Sequence, residues 1–319
     1  MNVLNVVPLR ALPPRNDEAA HVPVLRDETV SLLEPHASGV YVDCTLGAGG
    51  HTEALLEAGA PQVIGIDRDP VALALAKKRL ERFGGRVIFR QARFSELGDV
   101  LAETGIERVD GIMADLGVSS MQLDQGARGM SFRRSGPIDM RMNPGDGETA
   151  LELIERLDAD ELTQVIGQLG DERRARRVAR CIKQAFEAGQ LGTTLDLRRA
   201  VIRAVGPARV GGVDPATRSF QALRMAVNDE LPEVQRLMEA AAVHTEPGGR
   251  VAVIAFHSLE DRIVKRAMRD RTVWEPLSKK PLVPSEDECD VNPRARSAKL
   301  RVARRVGGET VGGSKEQRC

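Results

Sequence analysis

The run Val40-Tyr-Val-Asp-Cys44, followed at once by Gly47-Ala-Gly-Gly50, narrows the possible folds more than any other stretch. A short apolar run entering a glycine cluster reads as a strand that ends in a tight turn. The residues from His51 through Ala54, Leu55 and Leu56 read as the helix that follows, with Gly59 suited to its C′ position. Glycines let the main chain pass close to a ligand, and free N–H groups at a helix start favour polar or anionic groups. The dinucleotide pattern G-x-G-x-x-G is incomplete, because Thr52 stands where the third glycine would be. This stretch alone fits both a cofactor cradle and a plain turn of an α/β protein.

The next element separates the two readings. Gln62-Val-Ile-Gly-Ile-Asp67 is a second apolar strand ending in a carboxylate, twenty residues after Gly47. That separation suits an acid that bonds ribose hydroxyls at the tip of the second strand. The alternative is a carboxylate that only caps a turn. Asp69-Pro70 opens a helix, with Asp69 as N-cap and Pro70 at the first helical position. A third strand, Arg86–Gln91, leads to Phe94, placed beyond the strand's carboxyl end, where an aromatic either packs in the core or stacks on a base. The fourth, Val109–Asp115, again ends in a carboxylate. Gly47–His51, Asp67 and Asp115 thus gather on one sheet edge, the edge where doubly wound sheets bind ligands.

After Asp124 the strand pattern stops. A loop rich in Gly, Met and Arg runs to Pro144, and helices are expected over 149–157, 160–169, 172–188 and 194–205. The third carries Arg173, Arg174, Arg176, Arg177, Arg180 and Lys183 with no acid among them, which reads as a solvated face or a phosphate-facing patch. One long helix is expected over 218–243. A fifth strand, 249–256, then ends at His257, a candidate proton carrier and equally a candidate structural histidine. Ser297 to Val302 reads as a closing strand. Arg294, Arg296, Lys299, Arg301, Arg304 and Arg305 form a second acid-free cluster.

Lys plus Arg and Asp plus Glu are both 46, so nucleic-acid contact has to come from local patches, not from overall charge. The four cysteines are scattered with no C-x-x-C spacing, which suggests neither a disulfide framework nor a zinc site and suits a reducing cytoplasm. No apolar run reaches the length of a membrane span, and residues 1–20 and 307–319 read as loose tails.

In this order, the blocks resemble the ribosomal RNA small-subunit methyltransferase H family. They are His21-Val-Pro-Val-Leu25, Gly47–Thr52, Ile66–Pro70, Arg93-Phe-Ser95, Asp115–Ser120, Gln122-Leu-Asp124, Gly136–Met142, Pro215–Arg218, Phe256–Lys265 and Asn292–Ser297. The resemblance covers about residues 21 to 305. It implies an α/β, doubly wound Rossmann-like sheet dependent on S-adenosylmethionine, with an inserted all-helical domain. The expected division is core at 21–124, helical substrate domain at 125–224 and core again at 225–306. It also implies methylation of the N4 amino group of a decoding-centre cytidine in 16S rRNA of the small ribosomal subunit. The setting would be the bacterial cytoplasm, with no membrane and no metal, in a monomer or homodimer. By motif, the cofactor residues would be Gly49, Gly50, His51, Asp67, Phe94, Asp115 and Gln122, which makes Phe94 an adenine neighbour. Asp115, Asp139 and His257 are the candidates for taking up the proton. Amino-methylating DNA enzymes carry Asp/Asn-Pro-Pro-aromatic at the fourth strand tip, whereas this chain has Asp115-Leu-Gly-Val. Three other readings stay open on the residues alone: a small-molecule methyltransferase, a non-catalytic RNA-binding factor and a dehydrogenase.

Overall fold

A computed structural model describes residues 23–207 and 214–307. His21, Val22 and the two expected tails, apart from Gly307, lie outside the described residues. Helix α1 (Arg26–Leu33) precedes an alternating series: β1 (Val40–Asp43), α2 (Gly50–Glu57), β2 (Gln62–Asp67), α3 (Pro70–Leu80), β3 (Val87–Gln91), α4 (Leu97–Thr104) and β4 (Val109–Asp115). Next come α5 (Ser120–Asp124), α6 (Ala150–Arg156), α7 (Ala159–Gly170), α8 (Ala175–Glu187), α9 (Thr194–Val205) and α10 (Thr217–Val227). The chain returns to the sheet through α11 (Glu230–His244) and β5 (Thr245–Ala255). It ends with α12 (Ser258–Ala267), β6 (Trp274–Pro276), α13 (Glu286–Val291) and β7 (Lys299–Arg305).

The seven strands lie in the order β3-β2-β1-β4-β5-β7-β6. β1 to β5 pair in parallel, and β7 runs antiparallel to both its neighbours. Chain order reverses between β1 and β4, and such a reversal opens a crevice at the carboxyl ends of the two strands. Alternation along the strands builds a core on each face. Tyr41, Val63, Met113 and Ile254 pack on one side with α1, α2 and α3. Val42, Ile64, Ile112 and Val253 pack on the other with α4, α11 and α12.

The helical annex has a separate apolar core, drawn from Ile138 and Met140 through to Phe220 and Leu223. The single helix expected over 218–243 is two helices. α10 gives Phe220 and Leu223 to the annex, and α11 gives Val234 and Leu237 to the sheet. The break lies at Asn228 and Asp229, and Asp229 is left-handed at φ 53°. Its signal was Pro232, which sits in the first turn of α11, where a missing N–H costs nothing. The strand expected at 297–302 is shifted to 299–305 and lies antiparallel to β5.

Candidate active site

The turn after β1 is tied into the sheet at both ends. The Cys44 amide donates to Met113 O, and the Leu46 amide to Ile66 O, both at 2.9 Å. Gly49 is left-handed at φ 83°, and a Cβ there would lie 2.9 Å from Leu80 Cδ1. A Cβ on Gly50 would come within 2.4 Å of Pro23 Cγ. The glycines thus let the turn press flat between α3 and the Pro23 segment. No side chain caps the start of α2, so its first N–H groups remain available to a ligand.

Carboxylates surround this turn. Asp67 accepts from the Gly47 amide at 2.7 Å and the Asp69 amide at 2.8 Å. Burial pushes its carboxyl up to about 6, and the two amides only partly offset that. Beneath it, fully buried Asp43 accepts from Thr45 N and Thr52 Oγ1, at 3.2 and 2.8 Å. Burial raises that carboxyl as well. The Asp115 amide is held by Thr45 Oγ1 at 2.6 Å, and its Oδ2 lies 3.6 Å from Nε2 of buried His51. Both ring nitrogens of His51, and Oδ1 of Asp115, are buried among the described residues without a hydrogen-bond partner. Unpaired buried polar atoms are costly unless something else satisfies them.

Of these groups, Thr45, Gly47, His51, Asp67 and Asp115 line one hollow of about 230 Å³. Of the expected cofactor residues, Gly50, His51, Asp67, Phe94, Asp115 and Gln122 line it, and Gly49 does not. Phe94 also packs against the core beneath it. The Gln122 amide is already engaged, donating to Asp69 Oδ2 at 2.9 Å and accepting from the Ser119 amide at 3.1 Å. Among the proton-acceptor candidates, only Asp115 lines the hollow. Asp139 takes two bonds from the Arg141 guanidinium, at 2.8 Å each. Partial burial acts to raise the Asp139 carboxyl, but Arg141 outweighs it and holds the group below its usual range. His257 caps α12, with Nδ1 facing the Glu260 amide at 3.4 Å and Nε2 3.0 Å from Glu260 Oε1.

Glu230 and Glu260, which sequence reasoning passed over, also line the hollow. With His257 they place three possible ligand atoms within 4.8 Å of one another. Arg224 donates to both Glu230 oxygens, at 2.7 and 2.8 Å, so a guanidinium already supplies positive charge to this cluster.

A buried clasp joins the strand-β2 tip to the annex. Asp69 Oδ2 accepts from Arg128 at 2.7 Å as well as from Gln122. Asn228 Oδ1 accepts from Arg68 at 3.0 Å and from the Met142 amide at 2.8 Å. Its Nδ2 donates to Met140 O and Arg224 O, both at 2.8 Å. All four hydrogen-bonding positions of a side chain 1% exposed are therefore filled.

A model of the MraW methylase family matches residues 18–306. A ribosomal RNA small subunit methyltransferase H from Sorangium cellulosum is 62% identical over 310 residues, covering 97% of this chain and 98% of that protein. Its namesake from Nitrobacter winogradskyi is 47% identical over 308 residues, covering 91% and 92%. Another, from Synechococcus elongatus, is 48% identical over 288 residues, covering 90% and 95%.

Proposed function

The chain belongs to the MraW methylase family, and from that premise we propose that it methylates the N4 amino group of a decoding-centre cytidine in 16S rRNA, in the bacterial cytoplasm. Its cofactor is S-adenosylmethionine. The observation that carries the reading is the single hollow shared by His51, Asp67, Phe94 and Asp115, with buried polar atoms left unsatisfied in its wall. The residues fit the cofactor. Asp67 suits ribose hydroxyls, Phe94 suits the adenine face, and the open N–H groups of the α2 start suit the carboxylate end. His51 and Gln122 complete the wall.

When bound, the sulfonium supplies an electrophilic methyl and a neutral thioether leaving group. The chain then has to align the partners and deal with the amine. A cytosine amino lone pair is delocalised into the ring. A carboxylate that accepts one N–H localises the pair on nitrogen as the N–C bond forms and takes the proton afterwards. We assign this role to Asp115, which is half-buried, anchored through its own amide and part of the lining of the hollow. Asp139 and His257 then act as supports, Asp139 through Arg141 in the 136–142 loop and His257 at the α12 cap. The segment 125–224 serves as the domain that presents the RNA. The target base has to leave its stack to reach the hollow, as in other enzymes that modify bases.

The test is labelled-methyl transfer to hypomethylated small subunits, followed by nucleoside identification. N4-methylcytidine is the expected product. Label on another nucleoside, or no transfer to RNA, overturns the proposal.

A further inference from the structure

The two acid-free basic clusters have opposite fates in the fold. In the carboxyl-terminal cluster the cations are already engaged. Arg294 pairs with Asp124 at 3.1 Å, and Arg301 and Lys299 share Asp261 at 2.6 and 3.8 Å. Arg304 pairs with Glu275, Arg296 lies 3.9 Å from Asp290, and Arg305 donates to the carbonyls of Ala242 and Val273.

Helix α8 differs. Its Lys183 ammonium is spent on the carbonyls of Ile154 and Leu157 at the end of α6, and Arg174 on Val205 O. Arg173, Arg176, Arg177 and Arg180 are exposed, and none has an ion pair or side-chain hydrogen bond to another described residue. Arg176, Arg177 and Arg180 lie on the first turns of α8 and Arg173 in the turn just before it, so the four bases gather at the start of the helix. The opposite face, with Val178, Ala179 and Ile182, is buried in the annex core, so the arginines have nowhere to point but outward. Like charges at these spacings destabilise a helix, and no acid stands among them between Arg173 and Lys183; the one acid on α8 is Glu187, in its last turn. An ordinary solvated face would intersperse both signs. Arginine forks match phosphate oxygens two at a time.

We infer that the outer face of α8 is a docking surface for the phosphate backbone of RNA, and that the carboxyl-terminal cluster is structural. This rests on the reading of 16S rRNA as substrate and assigns it a surface.

The experiment compares wild type with a variant carrying Arg173→Gln, Arg176→Gln, Arg177→Gln and Arg180→Gln. Affinity for labelled 16S rRNA is measured against salt, with circular dichroism and cofactor affinity as checks on the fold. Four phosphate contacts predict a fall of about 3 in the slope of log affinity on log salt. Between about 50 and about 200 mM salt, wild type should then lose about 50-fold more affinity than the variant. The four-Lys counterpart should keep most of the slope, and Arg296→Gln with Arg304→Gln should leave it unchanged. An unchanged slope in the four-Gln variant overturns the surface, as does an equal loss in the carboxyl-terminal pair; acidic-protein docking would give the first result. Methyl transfer by wild type is assayed separately, so its absence would overturn the rRNA reading while the slopes still judge the helix.

Discussion

Asp67 joins two properties that can be separated experimentally. Its carboxyl is raised from 3.8 to about 6 in the cofactor-free protein, and we assign it the ribose hydroxyls, which need the ionised form as acceptor. Apparent affinity scales with the ionised fraction, so the dissociation constant for S-adenosylhomocysteine should rise about twofold at pH 6 and about tenfold at pH 5, relative to pH 8. Two hydrogen bonds to a charged acceptor are worth about 3–6 kcal/mol, so Asp67→Asn should weaken binding by about 10²–10⁴-fold at pH 8 and flatten this limb of the pH profile. The variant should still fold. A raised acid penalises the folded state above about pH 6, and that penalty, about 3 kcal/mol, disappears as pH falls below 3.8. Asn removes the penalty but leaves the Gly47 or Asp69 amide facing an NH₂ group, at about 1–3 kcal/mol. The two effects nearly cancel, so thermal unfolding at pH 7.5 should shift little. Titration calorimetry from pH 5 to 8 is the assay. Wild-type affinity that stays flat over that range, or an Asn variant within threefold of wild type, would refute the reasoning.

Other outcomes follow from the same geometry. Asp115→Asn should lower kcat by about 10²–10⁴-fold while changing cofactor affinity far less; single-turnover transfer and calorimetry separate the two effects. Gly50→Ala drives a methyl into Pro23, and should cost about 1–3 kcal/mol in denaturant unfolding and weaken the cofactor. Asn228→Ala strips four hydrogen bonds from a buried junction and should cost about 3 kcal/mol or more, read as a lower Tm.

The parts of the site that could be read in the sequence are those set by local chain chemistry. Asp67 and Asp115 end apolar strands, and each sits at a strand tip because parallel pairing brings the tips together. The Asp69-Pro70 cap needed only its own two residues. What escaped depends on distant partners. Gly49, expected beside the cofactor, also serves a close approach to Leu80 that no local pattern showed. The two basic clusters looked alike in sequence and were separated only by Asp124, Asp261 and Glu275, brought near by the fold. Glu230 gave no sign because its hollow forms only when α11 meets the sheet. Phe94 was open between core and ligand because a residue at a cavity wall packs on the core with one side and faces the hollow with the other.

The annex has a core of its own, yet it could not be cut away cleanly. Asp69 faces Arg128 across 59 residues of chain, and Arg68 reaches Asn228 across 160. Splicing α5 directly to α11 would take the guanidinium of Arg128 away from an aspartate 1% exposed, leaving it only the Gln122 amide and the Val71 N–H. The two halves are therefore one unit at this junction: the tip of β2 is completed by residues that lie outside the sheet.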